Sequence, residues 1–470
     1  MPRIIRAGTV GTRTKRQIKL TEFYILLFGV ILTIFLGVGS AITPVPLAIF
    51  SIVPIFIILS CLKFRLATLV MLFFTSGLIP EQLTPSFPVA GGVVRVEELF
   101  LGFLSLILIF KLGLKVDRFR SNSLCYPIYF FFTLVAISLF IAIGNQNKLK
   151  FILTEFKFTL YWIYAFILSI TIKDKKGLTT TVDFIVLLSV ILAIVVVFQS
   201  FTGIRILNHG MLNELVTVDE AIQGINRSTF GGFQAFVVFS FVLTLNRLVK
   251  REIYPLIAIP VLIVISLGLL VTFGRGVWAV TFVSIFIASI WLGRKYFVLI
   301  WVILGLTGIV LGMLLFIIKP ELVNAAYARM TSIGAELERG SSYDWRRIEN
   351  EWALKSIQKH PIIGLGLGGE YKPQQARFMG EHESRTIHNS YLWIALKFGL
   401  FGLIFPVWLC SLLLLKAKRI GNTLAISIGA AFLNPILVGY TQMEWSSISG
   451  VLFMATMVGL LIILDQLNCD

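Results

Sequence analysis

Only 14% of the 470 residues are charged, against about 25% in soluble globular domains. That shortage excludes an ordinary water-soluble domain. Acid is the scarcer sign, with 24 Asp and Glu against 41 Lys and Arg. The four cysteines, Cys61, Cys125, Cys410 and Cys469, are too few and too scattered for a disulfide framework. No small-residue cleavage site follows the basic N-terminus, so a secretory signal peptide is not expected. No internal repeat or low-complexity segment is evident.

What fills the chain instead is hydrophobic sequence, 57% of it, in runs near 20 residues that recur from end to end. Candidate spans fall at 21–38, 45–61, 66–79, 97–113, 125–144, 152–172, 181–202, 229–247, 253–272, 276–293, 297–318, 389–415, 420–440 and 447–465. The expected fold is all-α: a polytopic membrane protein of about 12–14 transmembrane helices with one large extracytoplasmic helical loop. A basic cytoplasmic N-terminus covers 1–20, a helix bundle 21–318, the large loop 319–388, and C-terminal helices with a short cytoplasmic tail 389–470.

The +17 net charge lies mostly in short clusters between spans, as the positive-inside rule predicts. Every second connection is short and basic, for example Arg294/Lys295 and Lys416/Lys418/Arg419. The charge therefore reports orientation and contact with the lipid bilayer, and nucleic acid is not an expected partner. Pro80–Arg95 reads as a cap or re-entrant turn.

The longest polar passage runs from Gly340 to Leu396 and holds three of the four histidines. Ser341–Asp344 has the form of a capping box. It opens a helix that should run to about Lys359 and stop before Pro361. Trp345, Ile348 and Trp352 are spaced for one apolar face. Arg346 and Arg347 stand near the start of this helix, where positive charge opposes the helix dipole, so they either meet lipid headgroups or bind an anion. Arg347 also has an ordinary surface partner, Glu351, four residues on. Gly364–Gly369 lacks the Lys-Ser/Thr of a phosphate loop and reads as a flexible turn.

His388 opens the next span. There a neutral imidazole either takes a proton as a base or joins the interfacial aromatics Tyr391 and Trp393. No acid or Cys cluster completes a metal set around it. Arg275 and Arg227 sit at outer span edges, where arginine either snorkels or satisfies a phosphate group. Lys397 lies within a span and should face protein or water. Tyr371, Tyr343, Glu381 and Glu383 are candidates for sugar contact by location alone.

Three segments in this order, TFGRGVWA, WRRIENEWALKSIQKHPIIGLG and HNSYLWIALKFGLFG, resemble the O-antigen ligase/polymerase superfamily of bacterial envelopes. The similarity covers about 272–405, with a weaker echo at Arg227–Phe236. The resemblance implies a metal-independent, inverting glycosyltransferase without cofactor, in the bacterial cytoplasmic membrane with its site facing outward. Its donor would be an undecaprenyl-diphosphate-linked glycan and its acceptor a second glycan or lipid A-core, and a chain-length regulator could attend it. Arg275 and Arg346 match the family's diphosphate-holding arginines, with Arg347 and Arg227 as further candidates, and His388 matches its general base. Asn350 stands where the family usually has an aromatic residue. The high span count favours polymerisation of O-antigen or exopolysaccharide units over ligation to lipid A-core. A transporter or flippase without covalent chemistry is the remaining alternative.

Overall fold

The computed structural model describes residues 63–78, 86–89, 92–115, 122–204, 206, 213–214, 226–331, 342–373 and 384–469. The first two expected spans and the basic N-terminus lie outside them. The apolar runs become α1 (Phe64–Thr75), α2 (Val96–Gly113), α3 (Cys125–Gly144), α4 (Leu149–Leu160), α5 (Ile163–Thr171), α6 (Lys175–Thr202), α7 (Gln234–Val249), α8 (Pro255–Val271), α9 (Arg275–Leu292) and α10 (Arg294–Ile318). The polar passage supplies α11 (Pro320–Thr331) and α12 (Ser342–Lys359). Then come α13 (Ser390–Phe398), α14 (Ile404–Ile420), α15 (Thr423–Ala431), α16 (Leu433–Val438) and α17 (Ile448–Cys469). Helix dominates because a chain in hydrocarbon must satisfy its own backbone polar groups.

The protein is an all-α, multi-pass membrane protein. Among the described residues, eight helical segments are long and apolar enough to cross a membrane, and three shorter apolar ones accompany them. Among the described residues, strand is confined to two small antiparallel hairpins. One pairs β1 (Ser86–Val89) with β2 (Gly92–Arg95), so this connection, expected as a cap or re-entrant turn, contains a hairpin. The other pairs β3 (Asn213–Glu214) with β4 (Asn226–Arg227).

α17 is the central post. Residues Val451–Ile463 on it are buried almost without exception, and α5, α7, α4 and α14 pack around it. Close approach is possible because Gly459 lies against the Ala165 backbone, where a Cβ would sit 3.1 Å from the carbonyl oxygen. α10 is the opposite case. Only Ile300 and Leu315 on it are buried, so its surface is left to lipid.

One expected span needs correction. The run 389–415 is not a single helix: α13 stops at Phe398, and a short 3-10 turn, Leu400–Leu403, leads into α14. Gly399 adopts φ +72°, and a Cβ on it would lie 1.9 Å from the Ile362 carbonyl oxygen. The segment after α12 crosses α13 at this point, and Leu400 N–H donates to Pro361 O at 2.8 Å. A hydrophobic run alone does not reveal such a crossing.

Candidate active site

The α8–α9 turn gathers the first group of cations. Phe273 is fully buried yet takes φ +46°, a left-handed conformation that costs a non-glycine residue roughly 1–2 kcal/mol. Neighbouring side chains hold it there. Arg227 Nε donates to Thr272 O at 2.8 Å and Arg329 Nε to Phe273 O at 3.2 Å. Arg275 Nε in turn donates to Arg329 O at 2.5 Å. Arg227, Arg275 and Arg329 therefore meet at one turn, beside the N-terminus of α9, where backbone N–H groups favour an anion. Arg329, on α11, is the member that sequence reasoning missed.

The second group is built on α12 and the start of α13. The inward stripe of α12 is Glu349, Ala353 and Ile357, one turn apart, a different face from the one that carries Trp352. Trp352 is exposed. An aromatic residue at a membrane–water boundary mimics a core residue in periodicity alone. Glu349 is 2% exposed, and its carboxylate is fully occupied. Oε2 lies 2.7 Å from His388 Nδ1 and also accepts the His388 backbone N–H at 3.3 Å. Lys372 Nζ donates to Oε1 at 2.5 Å. Burial alone would raise the Glu349 carboxyl, but the hydrogen bonds and charges of His388 and Lys372 outweigh it, and the group is held below its ordinary value. An ionised carboxylate only accepts, so His388 must donate from Nδ1, which in the neutral ring leaves Nε2 as the acceptor. The His388 side chain is 39% exposed, enough for that nitrogen to meet a substrate.

The residues after His388 each hold the helix start in place. Asn389 Oδ1 caps α13, accepting from Tyr391 N and Leu392 N. Ser390 N–H donates to Gly439 O at 2.8 Å, and its Oγ donates to Gln442 O at 2.7 Å and accepts from Trp445 N at 3.2 Å. Tyr391 Oη donates to Ile436 O at 2.6 Å. The connection between α16 and α17 thus braces the turn that carries His388. Ser449, in the first turn of α17, packs on Gly232, five residues after Arg227. Both groups consequently lie at one end of the bundle.

Arg346 shares α12 with Glu349, one turn earlier, and is half-buried. Arg347 points outward and pairs with Glu351 at 3.9 Å, both side chains being more than half exposed, a pair worth little. Tyr371, a candidate sugar contact by location, is instead buried and donates from Oη to Thr386 O at 2.9 Å. Glu381 and Glu383 lie outside the described residues. Among the described residues, no three His, Cys, Asp or Glu side chains come together as metal ligands.

The glycine-rich segment, expected to be a flexible turn, is a fixed wedge. Gly364, Gly366 and Gly368 all take positive φ. A Cβ on Gly366 would sit 2.7 Å from Ala142 N, and one on Gly368 2.7 Å from Ile152 N. Gly368 N–H donates to Glu155 Oε2 at 2.6 Å. Lys397 Nζ lies 3.0 Å from Glu155 Oε1 and donates to Gly369 O at 2.6 Å. Asn147 Nδ2 donates to Leu367 O at 2.9 Å. The wedge delivers Lys372, three residues on, to Glu349. Gly366→Ala combines a disfavoured φ with a backbone clash, costs of about 1–2 and 1–3 kcal/mol. The thermal midpoint of the detergent-purified variant should fall by several degrees, and an unchanged midpoint would count against a rigid wedge.

Residues 260–407 match the family model described as O-antigen ligase. Over that region the chain is similar to the O-antigen ligase/polymerase superfamily. No curated protein matches it. The matched superfamily region runs from α8 into α14 and contains Arg275, Arg329, Arg346, Glu349, Lys372 and His388. Arg227 and Glu444 lie outside it.

Glu444 forms part of the α16–α17 connection, in a 3-10 turn beside Trp445. Burial pushes its carboxyl from 4.5 up to about 7. Below pH 4.5 it is neutral whether the chain is folded or not. Between 4.5 and 7 the folded chain keeps a proton that the unfolded chain has lost, so stability falls as pH rises, and above 7 the whole penalty is present. Glu444→Gln should match the wild-type thermal midpoint at pH 4.5 and exceed it at pH 8. A midpoint gap independent of pH would contradict this account.

Proposed function

We propose that the protein is a glycosyltransferase of the outer face of the bacterial cytoplasmic membrane, using an undecaprenyl-diphosphate-linked glycan as donor and polymerising polysaccharide repeat units. The observation that carries this reading is His388, fixed through Nδ1 by a buried carboxylate with Nε2 left to accept a proton. The arginines at the same end of the bundle supply the complementary half of the chemistry. An acceptor hydroxyl gives its proton to His388 Nε2 as its oxygen bonds to the anomeric carbon. The bond from that carbon to the diphosphate breaks, and the lipid diphosphate leaves with the electron pair. Attack opposite the leaving group inverts the anomeric centre. Arg227, Arg275 and Arg346 would hold the departing anion, a role suited to oriented cations. Arg329 extends that set, and Arg347 lies at its rim.

The residues need no cofactor for these steps. Ligation of the finished glycan to lipid A-core is the second reading, favoured by the description of the matching family model. A transporter needs no base held in one tautomer, and the Glu349–His388 pair speaks against it.

The test uses purified protein, a lipid-diphosphate-linked oligosaccharide and no other protein, with and without lipid A-core. A ladder of longer lipid-linked glycans supports polymerisation. Product only with lipid A-core supports ligation. Product that survives both His388→Ala and Arg346→Ala would overturn the site.

A further inference from the structure

We infer that Glu349 is a positioning residue that fixes the tautomer of His388, and that Lys372 is its counter-charge, the three side chains acting as one unit. The inference rests on the transfer reading above and deepens it. Three observations converge on it. Glu349 stands at the head of the inward stripe of α12, 2% exposed, where periodicity calls for an apolar residue. Its two oxygens are divided between His388 and Lys372. Lys372 is itself buried, although it comes from a different segment, the one delivered by the glycine wedge.

A buried carboxylate costs several kcal/mol unless paired and hydrogen-bonded, so a bundle selected for stability alone would place an apolar side chain here. What the carboxylate adds is direction. It holds the proton on Nδ1, and its negative charge stabilises the imidazolium that forms when Nε2 takes the acceptor's proton. The neighbouring groups are accounted for. Tyr371 is neutral and bonded to Thr386 O. Arg346 lies one turn away on α12, and the titratable residues of the α16–α17 turn are Tyr440 and Glu444. Glu155 on α4 is taken by Lys397 and Gly368.

The two charges pull the base in opposite directions, which gives a signature that packing alone cannot imitate. Removing the Glu349 charge destabilises the imidazolium, so in Glu349→Gln the acidic limb of the pH–rate profile should move to lower pH. Removing the Lys372 charge leaves the carboxylate uncompensated, so in Lys372→Met the limb should move to higher pH. Glu349→Gln should also lower kcat by about 10²–10⁴-fold with donor KM within about threefold, since Arg346 stays on a seated α12. Glu349→Asp should recover part of the rate.

The experiment combines these profiles with ¹⁵N NMR of histidine-labelled full-length protein in detergent. The protein has four histidines, and His388→Ala identifies the signal. An Nδ1-protonated neutral ring in the wild type that changes tautomer in Glu349→Gln, with opposite limb shifts, supports the inference. An Nε2-protonated wild-type ring, or limbs that stay put in both variants, overturns it. The spectra need no turnover. If the wild type transfers nothing while its ring is Nδ1-protonated and responds to Glu349→Gln, the positioning stands and the transfer reading falls. Lys372→Arg serves as the folded control should Lys372→Met lose its thermal transition.

Discussion

In reconstituted transfer, His388→Ala is expected to lower the rate by about 10²–10⁴-fold, the range a positioned general base contributes. The thermal midpoint should barely move. His388 is 39% exposed, so truncation opens no core cavity, and Glu349 keeps both the Lys372 ammonium and the backbone N–H of residue 388. The variant therefore separates chemistry from folding. A rate within twofold of wild type, in protein that unfolds at the same temperature, would remove His388 from the mechanism. Loss of rate with a collapsed midpoint would instead mean that the helix start, and not the imidazole, was damaged.

Lys397→Met should have the largest effect on stability. Lys397 is fully buried, with Glu155 and the Gly369 carbonyl as partners. Removing one side of a buried ion pair costs about 3–5 kcal/mol because the other charge is stranded. Arg385, 3.9 Å from Glu155 and stacked 4.0 Å over the Phe151 ring, offsets part of that. The partner substitution decides the case. Replacing Lys397 and Glu155 together by Met and Gln removes the carboxylate that the single variant strands, at the cost of the Arg385–Glu155 pair, so the double variant should recover part of the midpoint lost in the single one. Additive losses would show that the two side chains act independently.

Most spans among the described residues were legible in the sequence because hydrophobic length is a direct consequence of bilayer thickness. The end of α12 at Lys359 followed from Pro361. Arg275, Arg346 and His388 were reachable as candidates through resemblance, and the second set of candidate residues was not. Glu349 sits in the run RIENEWALK beside another glutamate, and nothing local distinguishes the buried acid from the exposed one. Arg329 and Lys372 carry no local mark of a site, and only the fold brings them to the turn and to the carboxylate. The glycines misled for a physical reason. The φ that allows glycine to flex also allows it to lie against a helix backbone, and composition does not say which.

The burial of α17 has a consequence for the order of assembly. Every helix it packs against precedes it in the chain. At roughly 5–20 residues per second of synthesis, α4 and α5 enter the bilayer tens of seconds before their central partner exists. Until then the faces of α5, α7 and α14 that finally meet α17 must be shared with lipid or with one another. The same faces are apolar and can wait in hydrocarbon. The membrane thus acts as a holding environment for a half-built bundle, and the order of translation becomes part of the folding route.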